Sequence, residues 1–325
     1  MTQRQTDFAA TLTGLSPLLY IVPGTQAQAL GGAAWLGCLA AIPPLAVLGW
    51  LLRKRPNRTP GRLASAALGL WLTLAAAAVL HGCAARCCTA LGIFRSPLPY
   101  AAVLLAVAVP AALSRKQALF RAGEIFLPVV LALLGLALLC AVRQLRPARL
   151  IDLTQLSAAG VVQAALPVVA VGLAALVLPR LFAPVQPGAA PGVTLAVIAA
   201  LVSAAAVGML GAPMTARLEL PVFTMLRNLG LLHTVERLDA LITAVWVLPD
   251  VTALALLLRA GGDCIQRAFA VPDLRFSALG VSAAAAAGAL FIQAQGPAFP
   301  QRIAPVLAGG IVAIAVFTLL KRNEP

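Results

Sequence analysis

The sequence predicts an all-α polytopic membrane protein of about ten transmembrane helices, arranged as a 5+5 inverted repeat with a broken first helix. Three observations carry that prediction. The 325-residue chain is 61% hydrophobic and only 10% charged, against roughly a quarter charged in soluble domains. Its apolar residues gather into runs of about 20, the length that crosses a hydrocarbon core of about 30 Å. Its mean hydropathy is +0.96, and its net charge of +14 comes from Lys and Arg clustered between the runs. Such clusters read as topology signals rather than as a nucleic-acid surface.

The expected spans, in order, are 8–30, 33–52, 63–84, 97–114, 123–142, 160–182, 190–212, 236–259, 275–295 and 302–320. The first begins with Asp7 and has no small-residue cleavage site, so it is expected to be a retained helix rather than a signal peptide. The sixth contains Pro167 and Pro179 and is the least regular. An even number of spans puts both termini on one side. That side receives 15 of the 24 Lys and Arg, including the RKRPNRTPGR loop, and is expected to be cytoplasmic. The RQLRPAR stretch at 143–149 falls on the other side, against the trend.

The whole chain, 1–325, reads as one transmembrane domain, with 8–142 as the first five-helix repeat and 160–320 as the second. Five is odd, so the second half enters from the opposite side. Folds of that kind place a small-molecule site near the midplane, where the first helix of each half is discontinuous. The stretch TGLSPLLYIVPG, 13–24, fits that place. Pro17 offers no N–H to Thr13, and Ser16 then Pro17 is a good N-cap and first helical position. A half-helix starting there would aim the amides of Leu18 and Leu19 at a ligand, with Gly14 giving room. The alternative is a proline tolerated inside a packed membrane helix.

Other polar residues within spans are open to two readings each. Asp250 falls near the middle of the eighth span, where an ionisable group is costly enough to mark a function. It either holds a cation, a proton or a ligand amine, or caps a helix opened by Pro249. Glu236, Arg237 and Asp239 stand at the mouth of that span, with Arg227 just before it, and Glu124 stands beside Arg121 as a first-turn acid of the fifth. These read first as helix-terminal structure. Trp246 is core packing or pocket wall, while Trp35 and Tyr20 are interface anchors or cavity lining. HGCAARCC, 81–88, offers His81, Cys83, Cys87 and Cys88. Cys is also a common small apolar residue of packed helices, so no metal site is expected. The six cysteines imply no disulfide framework. No phosphate-binding loop occurs and His81 and His233 are the only histidines, so neither an enzyme nor a cofactor is expected. Segment 213–235 is expected to form one or two short amphipathic helices, a lid or a docking face.

Three blocks carry a family resemblance. VPGTQAQALGGAAWLGCLAA (22–41), with Pro23, Gly24 and Trp35, is similar to the junction of the first two helices in B subunits of spore germination receptors, the GerAB type. FRAGEIFLPVVLALL (120–134) resembles that family's entry to the fifth helix through Arg121, Glu124 and Pro128. LPVFTMLRNLGLLHTVERLDALITAVWVL (220–248) resembles its approach to the eighth through Arg227, Glu236, Arg237, Asp239 and Trp246.

The resemblance implies a fold like that of amino acid permeases (the APC superfamily, LeuT-like) in a spore inner membrane. It also implies a small-molecule germinant, partner A and C subunits, and an outer-gate role for the residues around Glu236. Departures accompany it. The permease Gly-x-Gly-Ile pattern is replaced by Leu15, Ser16, Pro17 and Leu18, and the sixth helix, VVAVGLAALVLP, keeps Gly172 but has no acid. A neutral amino acid is therefore the expected ligand. An ion-coupled transporter of similar molecules is the alternative, with Asp250 as its one credible coupling residue.

Overall fold

The computed structural model describes residues 2–54, 61–181, 185, 187–218, 220–229, 238–295 and 310, with backbone alone at 238–244. Among these residues regular structure is entirely helical. The helices are α1 (Gln3–Leu30), α2 (Ala34–Ala40), α3 (Ile42–Lys54), α4 (Arg62–Leu91), α5 (Leu98–Leu113), α6 (Lys116–Val142), α7 (Ala158–Val177), α8 (Ala190–Leu210), α9 (Ala212–Arg217), α10 (Pro221–Arg227), α11 (Leu238–Phe269) and α12 (Leu274–Ala294). Helix occupies the places of the first nine predicted spans; the tenth, 302–320, lies outside the described residues.

Among the described residues seven helical segments are long and apolar enough to cross a membrane, and the chain is a helical membrane protein of several spans. The number seven differs from the expectation for three reasons, the first being that 302–320 lies outside the described residues. α1 to α3 run on as one 52-residue apolar segment, Gln3–Lys54. α5 has 16 residues, a rise of about 24 Å that falls short of a full hydrocarbon core.

The first helix is not broken. α1 is continuous through Pro17 and Pro23, and Ser16 starts no half-helix, so the amides of Leu18 and Leu19 lie inside an unbroken helix. One proline removes one ladder bond, and neighbours in a membrane bundle offset that loss. Here α1 is the central helix, flanked by α6, α7, α8 and α11, with sixteen buried residues. The interruption comes one span later, at Ala41 between α2 and α3. Pro43 and Pro44 stand together there and remove two consecutive donors, and both are tolerated in the first turn of α3, where helix amides have no partner in any case.

Two apolar cores organise the bundle. One joins α1, α2, α3, α7 and α8 with faces of α6 and α10. The other joins α4, α5, α11 and α12. Close approach at glycine defines the first. A Cβ at Gly172 would come within 2.6 Å of Leu45 Cδ2, one at Gly49 within 2.7 Å of Ala189 Cα, and one at Gly14 within 2.4 Å of Leu195 Cδ1. Small residues of this kind let membrane helices approach closely where no hydrophobic driving force separates helix from lipid.

α4 extends beyond its predicted end at 84 to Leu91, where Gly92 (φ +61°) closes it with its N–H on the Cys88 carbonyl. It runs antiparallel to α11, with Gly69 against Ile265 near one end and Arg86 against Asp250 near the other. Three arginines counted as loop charges, Arg86, Arg180 and Arg259, are buried instead. The RQLRPAR stretch also has a structural partner, because Arg149 donates to the carbonyls of Gly208 and Met209 at the end of α8.

Candidate functional site

The site is centred on an ion pair that the sequence alone does not reveal. Arg86 Nη2 donates to Asp250 Oδ2 at 2.5 Å, joining α4 to α11, and both side chains are buried. Asp250 caps no helix and is shielded from the surface. α11 runs straight through Pro249, and Asp250 is 1% exposed. The same Nη2 reaches Cys83 Sγ at 3.3 Å, one turn back on α4, and Cys83 Sγ lies 3.9 Å from Ser16 Oγ on α1. A chain of polar contacts therefore ties the central helix to the pair. Cys83 and Cys87 serve as small walls of this site, and among the described residues no group of three or more His, Cys, Asp or Glu side chains could hold a metal ion.

Beside the pair lies a cavity of about 30 Å³, walled by Leu19 and Tyr20 of α1, Arg86 and Cys87 of α4, and Trp246, Val247 and Asp250 of α11. Its remaining wall is Leu220 with Val222, Phe223 and Leu226 of α10. The 213–235 segment does form short helices, α9 and α10, and α10 buries its apolar face over the cavity. The cavity thus has a hydrophobic cover and one polar wall.

Two polar atoms of that wall have no partner among the described residues. Asp250 Oδ1 and Trp246 Nε1 are both buried without a hydrogen bond. They belong to residues four apart on α11, hence on one face. A buried unpaired acceptor and donor each carry a desolvation cost of about 1–3 kcal/mol. A guest that donates to one and accepts from the other removes both costs.

The residues expected in the site separate. Leu19, Trp246 and Asp250 line the cavity, and Ser16 stands behind it, linked to Arg86 through Cys83. Gly14, Leu18 and Gly172 do not. Leu18 is buried in the first core, and the two glycines make room for Leu195 and Leu45 rather than for a ligand. Pro17 is half-buried within α1. Gly172 thus marks a helix contact, and α7 contributes no half-site.

Pro23 is buried inside α1, and Gly24 faces the carbonyls of Thr215 and Leu218, so this turn of α1 abuts the α9–α10 corner. Trp35 Nε1 donates to the Leu150 carbonyl at 3.4 Å, fixing α2 to the 143–157 connection. Glu124 is not a first-turn acid, because α6 begins at Lys116; it accepts from Gln5 Nε2 at 3.1 Å and lies 4.0 Å from Arg4 Nε. Arg227 ends α10 and is exposed. Glu236 and Arg237 lie outside the described residues, as does the side chain of Asp239.

Arg86 is the residue that sequence reading missed, since the span was closed at 84 and every arginine was counted as a loop charge. The signal was present in the run of small and apolar residues that continues to Leu91 and the glycine that follows. Compared with known proteins, the chain matches no family model, and no curated protein matches it significantly.

Proposed function

We propose that this chain is the ligand-binding membrane subunit of a spore germinant receptor, taking a small neutral germinant, a neutral amino acid above all, and signalling to partner A and C subunits. The observation that carries the binding site is the pair of unpartnered buried atoms, Asp250 Oδ1 and Trp246 Nε1, facing one cavity. Arg86 already neutralises Asp250, so a guest with no net charge fits the wall best: its N–H donates to Asp250, its oxygen accepts from Trp246, and its apolar part meets Phe223 and Leu226. The receptor assignment, the spore inner membrane and the partner subunits rest on the three motif blocks alone.

The reading includes ten spans in two inverted repeats, with both termini cytoplasmic. Apart from α6, which adds a face to the first core, each core draws mainly on two consecutive spans from each half, α1 and α2–α3 with α7 and α8, and α4 and α5 with α11 and α12. That is the pairing expected of repeats that interlock. The positive-inside bias keeps its direction when the three buried arginines are set aside.

A second reading, an ion-coupled transporter of similar molecules, is favoured by two buried acids on one helix, Asp250 and Asp263. One experiment separates the two. The full chain in nanodiscs is screened by thermal shift against neutral amino acids, and the same chain in proteoliposomes is assayed for uptake of any hit. Stabilisation that is lost in Trp246→Phe and Asp250→Asn, without accumulation, supports the receptor. Gradient-driven accumulation selects the transporter, and no stabilisation by any neutral amino acid removes the proposed ligand class.

A further inference from the structure

α11 carries a second buried charge cluster, thirteen residues beyond Asp250 and so about 20 Å along the helix. Asp263 is 6% exposed and Arg259 is 9% exposed. Arg259 Nη1 donates to the carbonyls of Ala112 at 2.9 Å and Ser114 at 3.0 Å, the end of α5, while its Nε lies 3.5 Å from Asp263 Oδ1. Lys116 Nζ, on the first residue of α6, lies 3.1 Å from Asp263 Oδ2 as an ion pair without hydrogen-bond alignment. Arg259 thus satisfies carbonyls that the end of α5 leaves open, and Asp263 faces both cations.

We propose that α11 is a coupling rod: the Arg86–Asp250 pair at the cavity and the Arg259–Asp263–Lys116 cluster at the α5–α6 corner engage and release together. Three observations point there. Each cluster ties α11 to a different element, α4 in one case and the α5–α6 corner in the other, so a shift of α11 along its axis bears on both. Between them α11 is unbroken helix, which transmits rotation or translation rather than absorbing it. The contact surface at the second cluster is also smooth. Gly261 meets Val281 and Leu72, and Gly262 lies directly against the backbone of Ala278, where a Cβ would sit 3.1 Å from its Cα. Without protruding side chains at these positions, this end of α11 can shift against α12 and α4. Buried ion pairs have two discrete arrangements, paired or separated, and elements of that kind carry coupling between sites. The inference does not depend on the ligand proposed above.

Native cysteines report on it. Cys264 adjoins Asp263 and is fully buried, Cys87 lines the cavity, and Cys38 is fully buried in the other core. The full chain in nanodiscs is treated with N-ethylmaleimide and labelling is resolved at each cysteine by mass spectrometry. Asp250→Asn is expected to raise the Cys264 labelling rate at least about fivefold, the low end of allosteric coupling, with Cys38 unchanged. The reciprocal variant, Asp263→Asn, is expected to raise Cys87 labelling by a similar factor, because coupling is mutual. Unchanged Cys264 in both Asp250→Asn and Arg86→Gln overturns the proposal. If Cys38 rises in parallel, the charge-reversed pair Arg86→Asp with Asp250→Arg decides: return of Cys264 to the wild-type rate supports coupling, and persistent labelling overturns it.

Discussion

The two cores of this molecule solve the same problem differently. In the first, around α1, α2–α3, α7 and α8, buried polar groups are hydroxyls, an amide and, at the end beyond α7, Arg180 on the Leu52 carbonyl. Helices there touch through glycine, at Gly14, Gly37, Gly49 and Gly172. In the second, around α4, α5, α11 and α12, four charged side chains are buried and partnered across helices. A bundle held by shape has one good packing, whereas a bundle held by ion pairs has a paired and an unpaired state. The cavity sits where the two meet, with Leu19 and Tyr20 from α1 on one side and Arg86, Trp246 and Asp250 from α4 and α11 on the other.

The contrast can be broken by mutation, and the largest effect belongs to the charged core. Arg86→Ala or Asp250→Ala strands a buried charge and should cost about 3–5 kcal/mol in denaturation of the detergent-solubilised chain. Replacing both with Met and Leu should recover most of that loss, because no charge is then left unpaired. If the double change is as damaging as either single one, the pair is not the source of the cost. Next comes Gly172→Ala in the apolar core, where the new methyl meets Leu45 and should cost about 1–3 kcal/mol, while cysteine labelling at Cys264 stays at the wild-type rate.

Smaller still is Ser203→Ala. Its hydroxyl lies 3.7 Å from Cys38 Sγ, and loss of such an interhelical contact should cost about 0.6 kcal/mol. Least of all, Ser16→Ala with Pro17→Ala should leave helix content by circular dichroism unchanged and shift stability by less than about 1 kcal/mol. A large change in ligand-induced thermal shift in that double variant would restore the Ser16–Pro17 segment as a binding element.

These contrasts also mark what the amino-acid sequence makes legible. Helix existence was readable almost everywhere, because runs of apolar residues about 20 long have few other fates. The short helix α10 was readable from the mixed composition of 213–235, and the burial of Trp246 and Asp250 from their depth in a span. What failed was local. A lone proline in a fully surrounded helix looks on paper like a break, since neighbours do not appear in a one-dimensional pattern. Pro43–Pro44, which does interrupt a helix, passed unnoticed inside a long apolar run. Arg86 was hidden by the rule that arginines mark loops, which holds only where no buried acid waits across the bundle. Gly14 and Gly172 looked like space for a ligand because a glycine leaves room, and sequence cannot say which neighbour fills it.

The size of the cavity also has a kinetic consequence. A cavity of about 30 Å³ has room for little more than water, so a guest the size of an amino acid requires α10 to move Phe223 and Leu226 away. Binding would then saturate: as guest concentration rises, the observed rate approaches the opening rate of α10 instead of growing without limit, and apparent affinity falls by the fraction of time the cover is open. Trimming Phe223 to Ala, which shortens the cover without touching Asp250 or Trp246, should raise that plateau.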